Sequence, residues 1–82
     1  MARSSRSALR AFILSLPLNG EHRLSSGVLV HSHDGSDSMW QLPIVGVYRF
    51  GKKGAACVSD GFNRWSVNEL TEDECASILS VL

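Results

Sequence analysis

Two stretches of the chain, one at each end, carry the three-and-four spacing of an amphipathic helix. Between them the sequence runs in short apolar and alternating segments broken by turn residues. At the N-terminal end, Leu9, Phe12, Ile13 and Leu16 fall at i, i+3, i+4 and i+7, one apolar stripe. Ser4 or Ser5 caps the start. Pro17 disfavours the helical conformation at Leu16, and Asn19-Gly20 completes the stop. At the C-terminal end, Cys75, Ile78, Leu79 and Leu82 repeat the stripe. Thr71-Glu72-Asp73-Glu74 reads as a capping box, with Leu70 and Cys75 placed to close a hydrophobic staple around it. Three acids in the first turn suit the positive end of the helix dipole.

Four strands are expected between the helices: Arg23–His33, Trp40–Phe50, Ala55–Ser59 and Phe62–Val67. The links are short, which makes neighbouring strands antiparallel. Asp60-Gly61 is a type I′ hairpin signal, because glycine accepts a positive φ. Pro43 cannot donate to a ladder and marks an edge, a bulge or a strand start. Alternation puts Ile44, Gly46, Tyr48 and Phe50 on one face of the long strand and Val45, Val47 and Arg49 on the other. Both faces are then apolar near the middle, as for a strand covered on both sides, one of them by another molecule. In the last strand Trp65 and Val67 make the core face, so Phe62 and Arg64 look outward. The expected fold class is α+β, in the order αββββα. It is a two-layer sandwich in which a mostly antiparallel four-stranded sheet carries the N- and C-terminal helices on one face. Residues 1–82 make a single small domain.

Composition narrows the function more than the fold. A chain of 82 residues buries only roughly 60–65% of its unfolded surface, so the core is thin. With 44% hydrophobic and 20% charged residues it has a globular balance. Eight basic and eight acidic residues cancel, which speaks against a general nucleic-acid binder. The charge is uneven: Arg3, Arg6 and Arg10 share one face of the first helix, away from the core, while the C-terminal helix is acidic. No apolar run is long enough to span a bilayer, and no membrane partner is expected. Two cysteines, Cys57 and Cys75, are too few for a disulfide scaffold and have no zinc-finger spacing, so a reducing, cytoplasmic setting is expected. The Arg- and Ser-rich N-terminal stretch also fits a mitochondrial transit peptide; it is read here as a structural helix.

The residues with chemistry to offer are few. His31 and His33 project to one face of a strand and are followed by Asp34 and Asp37, which would suit a zinc site. The pair resembles the His-x-His of JAMM-type zinc isopeptidases. Gln41 and Ile44 stand where that motif places its Ser and Asp, which excludes the family. Asp, Gly and Ser are also what a loop between strands requires, and the segment is read as a turn, with no metal and no cofactor. No serine has a nucleophile-elbow context, Cys57 lies in an apolar strand, and the acids around Cys75 oppose a thiolate. Gly51-Lys52-Lys53-Gly54 is no P-loop, since it joins strand to strand. No enzyme is expected. Aromatic and basic residues interleaved on a sheet form a recognition surface, and Tyr48, Arg49, Lys52, Lys53, Phe62 and Arg64 are assigned to it. The expected function is a small non-enzymatic protein-binding module, an adaptor or an inhibitor of a larger assembly such as mobile elements encode. Its partner is another protein or a second copy of the chain. Two alternatives stand beside it: nucleic-acid binding through the same residues or through Arg3, Arg6 and Arg10, and zinc binding at His31 and His33.

Overall fold

Ser4 starts the first helix as its N-cap: its hydroxyl accepts from the Ser7 N–H at 3.1 Å, satisfying one of the free donors of the first turn. The structure, a computed structural model, describes residues 4–31, 41–51 and 54–82. Helix α1 spans Ser5–Leu14 and strand β1 spans Glu21–His31. β2 covers Gln41–Phe50, β3 covers Ala55–Ser59, and β4 is only Arg64–Ser66. A 3-10 turn at Val67–Glu69 leads into α2, Glu72–Leu79. The last strand is thus shorter than the apolar pattern suggests, because Ser66 turns into a cap: its hydroxyl accepts from the Asn68 N–H and the chain coils before Val67 can extend the ladder. The capping box at Thr71 forms in both directions, Glu74 N–H to Thr71 Oγ1 and Thr71 N–H to Glu74 Oε1.

The sheet is an antiparallel meander in the order β1-β2-β3-β4. One core cluster gathers Leu9 and Ile13 of α1, Leu24 and Val30 of β1, Ile44 and Val47 of β2, Val58 of β3, and Cys75 and Ile78 of α2. Both helices therefore cover the same face of the sheet. Each fully buried Leu, Ile or Val contributes about 1.5–3 kcal/mol against exposure. Among the described residues no helix is long and apolar enough to cross a membrane.

Strict alternation fails in the middle of the β1–β2 pair. Arg23 pairs with Gly46 and Val28 with Ile44, so β1 loops out Leu24–Gly27 where β2 advances by Val45 alone. Ile44 and Val47 consequently both reach the core, although their numbering puts them on opposite faces of a regular strand. The expected second apolar face of β2 is therefore largely emptied into the first. Part of the looped backbone finds a partner outside the sheet: Ser25 donates from its N–H (2.9 Å) and its hydroxyl (3.1 Å) to the Val81 carbonyl beyond α2.

The arginines of α1 also differ from expectation. They do not form a free basic face. Arg6 donates to the Leu70 carbonyl at 2.6 Å and pairs with Glu72 at 3.3 Å. Arg10 donates to the Asn68 side chain. The Glu72 carboxylate also accepts from the Ser5 N–H at 2.8 Å, so an acid of α2 sits on the positive end of α1. Arg3 lies outside the described residues.

Urea unfolding of single alanine variants checks the assignment of faces. Leu9→Ala should lose about 3 kcal/mol and Thr71→Ala about 1 kcal/mol. Leu29→Ala, at a residue 62% exposed on the opposite face, should stay within about 0.5 kcal/mol of the parent.

Candidate functional site

With both helices on one side, no described element covers the other side of the sheet, called here the open face, and the register fixes what it presents. One cross-strand row runs Glu21, Tyr48, Cys57, Ser66; the next runs Arg23, Gly46, Ser59, Arg64. These residues alternate with those that feed the core, such as Val47, Val58 and Trp65. Phe50 follows Tyr48 on the same face, with ring centroids 6.2 Å apart. The guanidinium of Arg64 crosses diagonally to lie 3.9 Å from the centroid of the Tyr48 ring, a stacked cation–π contact. Phe50 is 54% exposed and Phe62, at the β3–β4 tip, is 93% exposed.

Asp60 holds that tip. Its carboxylate accepts from the N–H groups of Phe62 and Asn63, each at 2.8 Å, and the Asp60 N–H closes the hairpin onto the Asn63 carbonyl. Gly61 takes the positive φ, +99°. It stands at the first tip position, as in a II′ turn, and the I′ geometry expected of Asp60-Gly61 shifts by one residue. The two N–H donors, Asn63 foremost, hold the Asp60 carboxyl below its ordinary range.

Of the six residues assigned to the surface from sequence, Tyr48 and Arg64 are brought into contact on the open face, and Phe62 stands out from the β3–β4 tip without a ring contact to either. Arg49 does not join them. It follows Tyr48 directly, so its side chain leaves the opposite side of β2 and donates to the Leu16 carbonyl at the end of α1, at 2.8 Å. There it serves the negative end of the helix. Lys52 and Lys53 lie outside the described residues. Glu21, Arg23, Val45, Cys57 and Ser66 are members of the face that sequence reasoning left unassigned, and Phe50, grouped with Tyr48 by alternation, belongs to it as well. Phe50 was findable from the same parity that gives Tyr48. Cys57 needs the β2–β3 register.

Neither cysteine is set up as a nucleophile. Both are free thiols, and burial pushes each above its ordinary value, outweighing Arg64 at Cys57 and Arg6 at Cys75. His31 is exposed; its backbone N–H donates to Glu74 Oε2 at 2.6 Å, and its Nδ1 lies 3.7 Å from the same oxygen. His33, Asp34 and Asp37 lie outside the described residues. Among the described residues no three His, Cys, Asp or Glu side chains converge as a metal site would require. No protein-family model, curated protein or solved structure matches this chain.

The Asp60 turn carries a pH signature. Its folded pKa is lowered, so its contribution to stability is complete above the unfolded carboxyl value of about 4 and disappears as pH falls through the folded value. Asp60→Ala should therefore be less stable than the parent at pH 7. In thermal unfolding across the acid range the gap should close below about pH 4; a gap constant with pH would mean that the carboxylate does not hold the tip.

Proposed function

We propose that the chain is a small non-enzymatic protein-binding module, an adaptor or an inhibitor of a larger assembly, which docks its partner on the open face of the sheet. The observation that carries this reading is the exposure of Phe62, 93%, on a tip that its own hydrogen bonds hold in place, beside the stacked Tyr48–Arg64 pair. A rigid aromatic and an arginine are the residue types that dominate protein interfaces. An aromatic held out in water gains nothing for the fold, whereas its burial against a partner is favourable. The free cysteines agree with a reducing setting, and the cytoplasm is proposed on the same footing.

Nucleic-acid binding draws less support. Stacking on bases needs an open ring face; Arg64 occupies one at Tyr48, while Phe50 and Phe62 keep theirs, so it is charge that speaks against this reading. The chain as a whole has no net charge to offer a phosphate backbone.

The test compares the parent chain with a Phe50→Asp/Phe62→Asp variant, whose changes lie outside the core and should leave circular dichroism unchanged. Tagged proteins are used to capture partners from an extract of the producing cell, read by mass spectrometry. A protein retained by the parent and lost by the variant is expected. Retention by both contradicts docking on this face. Binding of a single-stranded oligonucleotide that weakens steeply with salt would replace the reading by the nucleic-acid one.

A further inference from the structure

Given the open sheet face as the docking surface, we infer that what it docks is an acidic, apolar peptide segment: a carboxylate taken by Arg64, with aromatic or aliphatic side chains flanking it. This rests on the reading above and adds the chemistry of the partner.

The arginines of the chain divide by face. On the helix side Arg6, Arg10 and Arg49 each donate to an oxygen of the fold. On the open side Arg23 and Arg64 do not; among the described residues no carbonyl or carboxylate accepts from either. Arg64 is nonetheless ordered. Its guanidinium carbon lies 3.9 Å from the Tyr48 ring centroid, a cation–π contact that takes no oxygen acceptor and leaves its N–H donors for a ligand. A guanidinium oriented by a ring and left with free donors is prepared for two parallel bonds to a carboxylate, the geometry arginine makes better than lysine.

The ground between the two arginines suits a chain lying across the strands. Arg23 and Arg64 stand at opposite ends of one cross-strand row whose middle members are Gly46 and Ser59. Gly46 has no side chain and Ser59 a small one, which leaves the middle of the row as a shallow trough between the longer arginines, although little of either residue is itself exposed. Tyr48 and Cys57 border it on one side. On the other stand Val45 and the Phe62 tip, where a Cβ at Gly61 would lie 3.9 Å from Val45. An arginine stands at each end; Tyr48, Cys57 and Val45 make the apolar parts of the walls, while Glu21 and Ser66 end the bordering row.

One acid already reaches into this trough. Glu21 lies against Gly46, with Oε1 3.5 Å from where a Cβ would stand. A second, Glu69, is near enough to raise the Cys57 thiol. An incoming carboxylate meets repulsion from Glu21 and attraction from Arg64, so the two side chains have opposite effects on the same ligand. This opposition separates the proposal from simple apolar adhesion.

The probe is a displayed library of random short peptides selected on the parent chain, followed by synthetic copies measured by fluorescence anisotropy. Selected peptides should share an Asp or Glu flanked by aromatic or aliphatic residues. Replacing that acid by its amide, or Arg64→Gln in the protein, should each weaken binding about tenfold. Glu21→Gln should tighten it. Arg64 and Glu21 are both exposed, so neither variant threatens the fold. Selected peptides that lack an acid, or that ignore Arg64→Gln while remaining sensitive to Phe62→Asp, would overturn this inference and leave the protein-binding reading standing. If no selected peptide responds to Phe50→Asp or Phe62→Asp, both fall. Self-association seen by light scattering and lost in Phe62→Asp would name a second copy as the occupant and overturn the peptide proposal.

Discussion

The molecule depends on one irregularity, the break in register between β1 and β2. A regular β2 would send Ile44 and Val47 to opposite faces. Looping out Leu24–Gly27 of β1 against Val45 lets both side chains enter the same core. In a chain of 82 residues that concentration matters, because a small domain has few large apolar side chains and cannot divide them between two cores. The loop-out has a cost in unpaired backbone, and the Ser25–Val81 bonds offset it by tying the C-terminal end of α2 to the same segment. The break in the sheet thus concentrates the core and anchors the second helix.

The asymmetry of the two faces follows. The side that receives Ile44 and Val47 also receives both helices, which lean on each other through Arg6, Glu72 and the Leu70 carbonyl. Every described arginine on that side has a structural partner. The other side keeps Tyr48, Phe50, Arg23 and Arg64; Arg64 lies over the Tyr48 ring, and among the described residues neither arginine has an oxygen acceptor. Leu29, Phe50 and Phe62 remain more than half exposed there. Leu14 and Leu18 are exposed at the end of α1 and beyond it, but the other large apolar residues left outside this thin core, Leu29, Val45, Phe50 and Phe62, lie on the sheet side that carries Arg23 and Arg64, and that face is where recognition is proposed.

The helices were legible because their signals are local. Period, cap and stop all lie within the segment concerned, and at Thr71 the capping box alone fixes the start. β3 was legible for the same reason, an apolar run between two turn signals. The outward direction of Arg64 followed from alternation over a few residues. What could not be read is what depends on a partner strand. Ser25, Ser26 and Gly27 do signal a disturbed strand, yet nothing in β1 by itself says which residues of β2 they face. The parity of Ile44 and Val47 was misread for that reason. Arg49 was placed beside Tyr48 on composition, although adjacent residues of a strand point apart. Arg6 and Arg10 looked like a solvated face because their acceptors, Leu70 and Asn68, are distant in sequence and come near only when the helices pack.

The central claim, one face sealed by both helices and the other left open, can be tested with the two native thiols. Cys75 is fully buried beneath the helices, and Cys57 lies in the open-face row between Tyr48 and Ser66. The native chain is treated with a thiol reagent at mildly alkaline pH, which offsets the raised pKa of both groups, and the modified residue is located by mass spectrometry. Modification should occur at Cys57 while Cys75 stays protected until denaturant unfolds the whole domain. Equal modification of the two under native conditions, or a Cys75 that reacts first, would contradict the arrangement described.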